Sequence, residues 1–230
     1  MIASIHQPQY LPWAGYLDKV DQADVFILLD TVQFKKGEWQ NRNRLKTATG
    51  PAWVTVPVLH DFGQFLADVV IDPAQHSWNR KHQQALRTHY GSTPHFTWVA
   101  DRLDQVWQQE WERLAPLNRA TLDVFMALLG IDTPLLWASE MDPTPEHPDE
   151  RLISLCRQIG ADTYLAGSAG PDYMEMEKWQ SSGIEVCIHD FAHPVYNQPF
   201  GDFLPAMSAA DLLCNCGPDS LTLMREANNR

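Results

Sequence analysis

The chain has 230 residues, 44% of them hydrophobic and 10% aromatic, which is enough to fill the core of one domain. Its formal charge of −12 argues against bulk binding of nucleic acid or an anionic membrane, since both ask for a basic face. No apolar run reaches bilayer-spanning length, no leader-like segment precedes the first strand, and four scattered cysteines lack disulfide or zinc spacing; a cytoplasmic protein with reduced thiols is expected.

Strand and helix signals alternate along the chain. Residues 2–6 read as a strand, 13–23 as a helix carrying Leu17, Val20 and Ala23, and 25–30 (VFILLD) as a buried strand that ends on Asp30. A polar, basic stretch covers 31–50. A half-exposed strand follows at 52–58 and a short one at 69–71. From 75 to 129 the pattern is helical, with Trp107, Trp111, Leu114 and Leu117 on one stripe, and Gly130 supplies the stop. Strands at 133–138, 162–166 and 184–189 then enclose helices at 148–159, closed by Gly160, and at 171–181, stopped by Ser182 and Gly183. Pro-rich loops at 142–148 and 194–205 flank this block, and Ser208 with Asp211 three positions on opens a C-terminal helix. This rhythm predicts a single α/β domain over 1–230. It has a mostly parallel, Rossmann-like (HUP-like) sheet, helices on both faces, and a helical insertion or cap at 75–130.

Three stretches carry chemistry. The first, IHQPQYLPWAGY at 5–16, leaves a parallel strand at its carboxyl end and enters a helix, the place where open sheets bind ligands. His6 would donate to a reacting oxyanion, Gln7 and Tyr10 would line the loop, and Gly15 beside Tyr16 would admit a close backbone approach. The competing reading makes Tyr10, Trp13 and Tyr16 core plugs and His6 a satisfied buried histidine. The second stretch, QFKKGEWQNRNRLK at 33–46, sets five basic residues against one acid. Arg42, Arg44 and Lys46 suit an anionic group. Gln33, Gln40, Asn41 and Asn43 offer amides to a sugar or base, and Trp39 offers a stacking face. A solvated loop is the alternative, and it fits Lys35 and Lys36 best. The third, YLAGSAGPDY at 164–173, crosses from strand to helix through Gly167, Ser168 and Gly170, followed by Asp172 and Tyr173. It is neither a nucleophile elbow nor a Walker A loop, and a plain tight turn competes with binding. Tyr196 and Gln198 lie in a tail that would cross back over the sheet. His189 and His193 are four apart in a strand context next to Pro194, which is poor for a metal, so no metal site is assigned.

The blocks IHQPQYLPWAGYLDK, ADVFILLDTVQFKKGEWQNRNRLK, ADTYLAGSAGPDYM and YNQPFGDFLPAMSAADLLCNCG, in this order, resemble the WbqC-like protein family over nearly the whole chain. That resemblance implies a role in gene clusters for O-antigen and other surface polysaccharides, with glycine transfer onto such sugars as one suggested activity. A more distant similarity links the first strand, His6, the loop and VFILLD to the front end of HIGH-superfamily nucleotidylyltransferases. Trp13 and Tyr16 stand where that superfamily has its two histidines.

The expected function is therefore a transferase acting on a nucleotide-linked sugar or an activated amino acid such as glycine. His6, Asp30 and Lys46 are its candidate catalytic side chains. A non-catalytic nucleotide- or sugar-binding protein within a biosynthetic complex is the alternative. A nucleotide is the candidate cofactor, with Mg²⁺ left open. The partner is a small anionic substrate rather than nucleic acid, and a homodimer is left open.

Overall fold

A computed structural model describes residues 1–230. Strand β1, Ile2–His6, leads through helix α1, Ala14–Asp21, to β2, Val25–Leu28. Strand β3, Arg42–Thr47, pairs antiparallel with β4, Gly50–Thr55, and β5, Val58–Leu59, with β6, Val70–Ile71. Three helices follow: α2, Trp78–Tyr90; α3, Phe96–Trp107; and α4, Leu114–Leu129. The chain then returns to the sheet with β7, Leu135–Trp137, α5, Pro148–Gln158, β8, Thr163–Ala166, α6, Met176–Ser182, and β9, Glu185–Ile188. Helices α7, Ala209–Cys216, and α8, Ser220–Ala227, close it. No helix is long and apolar enough to cross a membrane.

The central sheet runs β7-β2-β1-β8-β9, and every pair in it is parallel. The fold is thus α/β with a Rossmann-like strand order, growing outward in both directions from β1. Alternation along the strands divides the core. Phe26 and Leu28 of β2 face a large cluster shared with α1, α2, α3, α4 and α7. Ile27, with Ala3 and Ile5 of β1, faces a smaller one under α5 and α6.

Three stretches differ from the sequence expectation, the first being the stripe of Trp107, Trp111, Leu114 and Leu117, which is broken because α3 ends at Trp107 and α4 begins at Leu114. The basic stretch at 31–50 and the strand at 52–58 contribute to a hairpin, with β3 inside a stretch for which no strand is expected from the sequence. Its inward positions include Asn43, fully buried, so the usual apolar alternation is masked by a polar residue. The helix expected from 171 begins only at Met176, after a short 3-10 turn at Gly170–Asp172. Gly130 and Gly183 do end their helices with left-handed backbones, and Ser208 does cap α7 by accepting from the Ala210 N–H.

Tyr10 belongs to the large core. Its hydroxyl accepts from Trp107 Nε1 at 2.8 Å and lies 2.8 Å from His82 Nδ1, and all three residues are buried. The hydroxyl therefore donates to the imidazole, which must stay neutral to accept. Burial pushes His82 down to about 4. Unfolded chains protonate this side chain near 6.5, so between pH 6.5 and 4 the unfolded state holds the extra proton. Folding stability should fall by up to about 3 kcal/mol as pH drops through that window. Urea unfolding across it checks this, and His82→Gln should reduce the slope to the part that His6, shifted down in the same way, contributes. Tyr10→Phe strands two buried polar groups and should cost about 1–3 kcal/mol at pH 7.

Candidate functional site

The connections on either side of β1 run in opposite directions, so a crevice opens beyond the carboxyl ends of β1 and β8. It has two compartments. A cleft of about 680 Å³ is lined by His6, Gln7, Gln9, Trp39 and Gln40 among others. Beneath it a recess of about 240 Å³ is walled by His6, Tyr16, Lys19, Gly167, Ser168 and His189 among others. His6, Trp13, Ala169 and Tyr173 border both. A wider groove of about 810 Å³ lies between α5 and α6, but Lys178 pairs with Glu150 there at 3.0 Å and no reactive set lines it.

The loop that forms the crevice wall is held by side-chain amides. Asn43 Nδ2 donates to the carbonyls of Leu11, at 2.8 Å, and Tyr10, at 3.3 Å, while its oxygen accepts from the Arg44 N–H. Asn118 Nδ2 of α4 donates to Pro8 O and Gln40 O. The Tyr10 N–H donates to Trp39 O, and the Leu11 N–H reaches Thr121 Oγ1 at 3.4 Å. These contacts hold Leu11 at φ 44°, a left-handed conformation costly for a leucine. At Gly15 an added Cβ would lie 2.3 Å from the Trp13 indole, which folds back over the first turn of α1. Glycine is thus required there for packing against that ring.

His6 Nδ1 lies 3.1 Å from Gln7 O, which makes Nδ1 the protonated nitrogen and leaves Nε2 with a free lone pair. Burial, then the neighbouring Lys19, push this imidazole down to about 4, so it is neutral at pH 7. Tyr16 meets it edge-on, centroids 5.1 Å apart. Burial likewise pushes Lys19 down to about 7, and its ammonium has a single contact, Ile5 O at 3.4 Å. His189 Nε2 is 2.8 Å from Asp18 Oδ2. That carboxylate is fully buried and also binds Arg230 through its other oxygen, so it orients the imidazole from behind. Gln40 Nε2 donates to Gln7 Oε1 at 2.6 Å, and Gln9 Oε1 is buried with no partner.

Of the residues singled out in the sequence, the crevice gathers His6, Gln7, Gly15, Tyr16, Trp39, Gln40, Gly167, Ser168 and Tyr173. The others lie elsewhere. Asp30 lines a separate cavity of about 460 Å³, and both its oxygens accept from Ser139. Lys46 is buried, with its ammonium donating to Gly201 O and Asp202 O. Arg42 donates to Gly37 O and stacks on Trp53 at 4.1 Å; Arg44 donates to Ala206 O and lies 5.2 Å from the Trp39 ring. The anion clamp expected of these three cations is therefore absent from the crevice, because backbone carbonyls and indole faces hold them. Asn41 donates to Val56 O and Asn43 to the loop, so both are structural, as is Tyr10. Gln33 only bridges to Phe65, and Asp172 sits in an exposed turn. Tyr196 and Gln198 both donate to Asp211 Oδ1, and Tyr90 to Oδ2, which fastens the tail to α7.

Three members of the crevice escape sequence reasoning: Gln9, Lys19 and His189. Lys19 falls on the same face of α1 as Gly15 and Tyr16, at helical spacing, but a lysine there reads as solvated. His189 gave a usable signal, since it follows β9 at the carboxyl end of a parallel strand. For a metal, the grouping that gathers three ligand atoms is His147, Asp149 and Glu175, away from the crevice. Asp149 there already accepts from Trp179 Nε1 and the Glu175 N–H.

The profile of the WbqC-like protein family matches residues 7–223. The chain is also 36% identical over 232 residues to "Uncharacterized protein Rv1507c" of Mycobacterium tuberculosis, spanning 97% of this chain and 98% of that one. No solved structure matches it.

Asn43→Ala would leave two loop carbonyls and the Arg44 N–H without their partner. It should lower stability by about 2–4 kcal/mol, read from the urea midpoint. Arg42→Gln, which removes the stack on Trp53 and the hydrogen bond to Gly37 O at the protein surface, should change stability by less than about 1 kcal/mol.

Proposed function

The chain belongs to the WbqC-like protein family, and from that premise we propose that it is a transferase of surface-polysaccharide (O-antigen) biosynthesis. Its substrate would be a nucleotide-linked sugar or an activated amino acid such as glycine. The observation that carries this reading is the convergence of His6, Lys19 and the His189–Asp18 pair on one crevice at the switch point of the sheet. A transfer between two bound groups needs a proton acceptor near neutrality and fixed donors around the leaving group. The neutral imidazole of His6, with its free Nε2, accepts the proton of the attacking amine or hydroxyl. Gln9 Oε1, buried and unpaired, accepts a hydrogen bond from a hydroxyl or amine of the substrate. Gln40 and Gln7, already bonded to one another, form a fixed amide wall against which a sugar or amino acid orients.

The second reading is a non-catalytic nucleotide- or sugar-binding protein. Trp13 and Tyr16 favour it. The Trp13 ring covers Gly15, and the Tyr16 hydroxyl donates to Gln7 O at 3.3 Å, so neither replaces the imidazole pair of a HIGH-type site.

A thermal-shift screen with nucleotides, nucleotide sugars and glycine should show stabilisation by at least one class. The hit, incubated with and without Mg²⁺, should then yield product in a coupled assay. His6→Ala should lower turnover by about 100-fold or more while moving the melting temperature only slightly. A large loss of stability in that variant would mark His6 as structural, and stabilisation without product would favour the binding protein.

A further inference from the structure

We infer that the recess beneath the cleft is a pocket for a phosphate group, held by Lys19 of α1 and His189 beyond β9, with the neutral His6 at its mouth. This deepens the reading of the crevice as a substrate site and rests on it; the rest of the substrate would occupy the larger cleft. Lys19 and His189, from two separate elements, line the recess with His6 at its mouth, and no carboxylate does. Asp18, the nearest acid, lies behind His189 and is engaged by His189, Gln22 and Arg230. The Lys19 ammonium, 4% exposed, has three donors and one long contact, so it is buried without the partners it needs. The Ser168 hydroxyl completes the wall with a donor. At about 240 Å³ the recess has ample room for a phosphate group, and it joins the cleft past His6 and Trp13.

Proton uptake follows from the same geometry. The charged and titratable groups around Lys19 are His6 from β1, Tyr164 from β8, Tyr173 from the following loop, His189 after β9, Tyr16 and Asp18 on α1, and Arg230 against Asp18. Burial holds Lys19 near 7, so at pH 7 about half of it is neutral. A bound dianion favours the ammonium and raises that value. Binding therefore takes up protons near pH 7 and weakens as pH rises past it.

Sulfate is the direct probe, because it stays dianionic where phosphate esters titrate. Calorimetry in buffers of different ionisation enthalpy should show sulfate binding with net proton uptake at pH 7, about tenfold tighter at pH 6 than at pH 8. Lys19→Met should weaken sulfate at pH 6 by about tenfold or more and abolish the pH dependence, with a melting temperature no lower than the parent's. His189→Gln, which can still donate to Asp18, should weaken sulfate as well. Sulfate binding that is absent, pH-independent, or unchanged in Lys19→Met overturns the proposal, as does tighter binding of acetate than of sulfate. Since none of these readouts needs turnover, a missing transferase activity alongside the expected sulfate behaviour would remove the enzymatic reading and keep the pocket. The reverse pattern would remove the pocket alone.

Discussion

The site depends on a backbone problem: a loop of seven residues between β1 and α1 has no ladder to join, yet much of it is buried. Residues Pro8 to Leu11 are buried, and their carbonyls and N–H groups need partners inside the protein. Asn43, Asn118, Thr121 and the Trp39 carbonyl supply them from β3, α4 and the turn before β3. With the loop held in this way, Leu11 tolerates a left-handed conformation, and His6, Gln7 and Gln9 stand along one wall of the crevice. An unpartnered buried carbonyl costs about 1–3 kcal/mol, so the hairpin and α4 are as necessary to the crevice as the loop itself.

This requirement explains why the basic hairpin is not the anion clamp that its composition promises. Its amides are turned toward the protein, where they hold the loop. Its arginines are turned the other way and lie against Trp39 and Trp53. Lys46 is drawn toward the tail, whose carbonyls at Gly201 and Asp202 it caps. The tail is fixed at a second point by Asp211, whose carboxylate accepts from Tyr90, Tyr196 and Gln198. Since the Tyr90 hydroxyl also accepts from the Lys46 N–H, hairpin, α2, tail and α7 form one polar network. Burial still raises the Asp211 pKa despite those donors, as expected for a carboxylate placed for structure and not for exchange with solvent.

How much of this was legible in the sequence follows from which residues carry the signal. Strands β1, β2 and β8 are largely buried and read as apolar runs; the glycines at 130 and 183 and the serine at 208 mark helix ends by mechanisms local to the chain. Strand β3 was hidden, because its inward face carries Asn43 where a sheet usually carries valine or leucine. Placing His6 beyond a parallel strand was also possible from order alone. What sequence could not reveal was the direction in which polar side chains turn. Asn43 and Lys46 look like ligand contacts, and Lys19 looks solvated. The three-dimensional arrangement reverses these assignments, because burial depends on what the fold packs against each position rather than on its neighbours in the chain.

The contrast between Lys46 and Lys19 separates scaffold from site. Both are buried, with exposures of 1% and 4%. Lys46 is surrounded by acceptors: two carbonyls, with Asp211 nearby, so its charge is accommodated in the folded protein. Lys19 has one distant carbonyl and two imidazoles for neighbours, and its value near 7 corresponds to a folding penalty on the order of 4 kcal/mol at neutral pH. A purely structural position could relieve that penalty with a methionine or leucine of similar length. Retaining a cation there, beside His6 and opposite a histidine oriented by a buried carboxylate, is physically reasonable where a bound negative group restores the balance. The energetic deficit and the empty volume coincide at the carboxyl ends of β1 and β8, where the fold opens a crevice and the loop's amide braces keep it open.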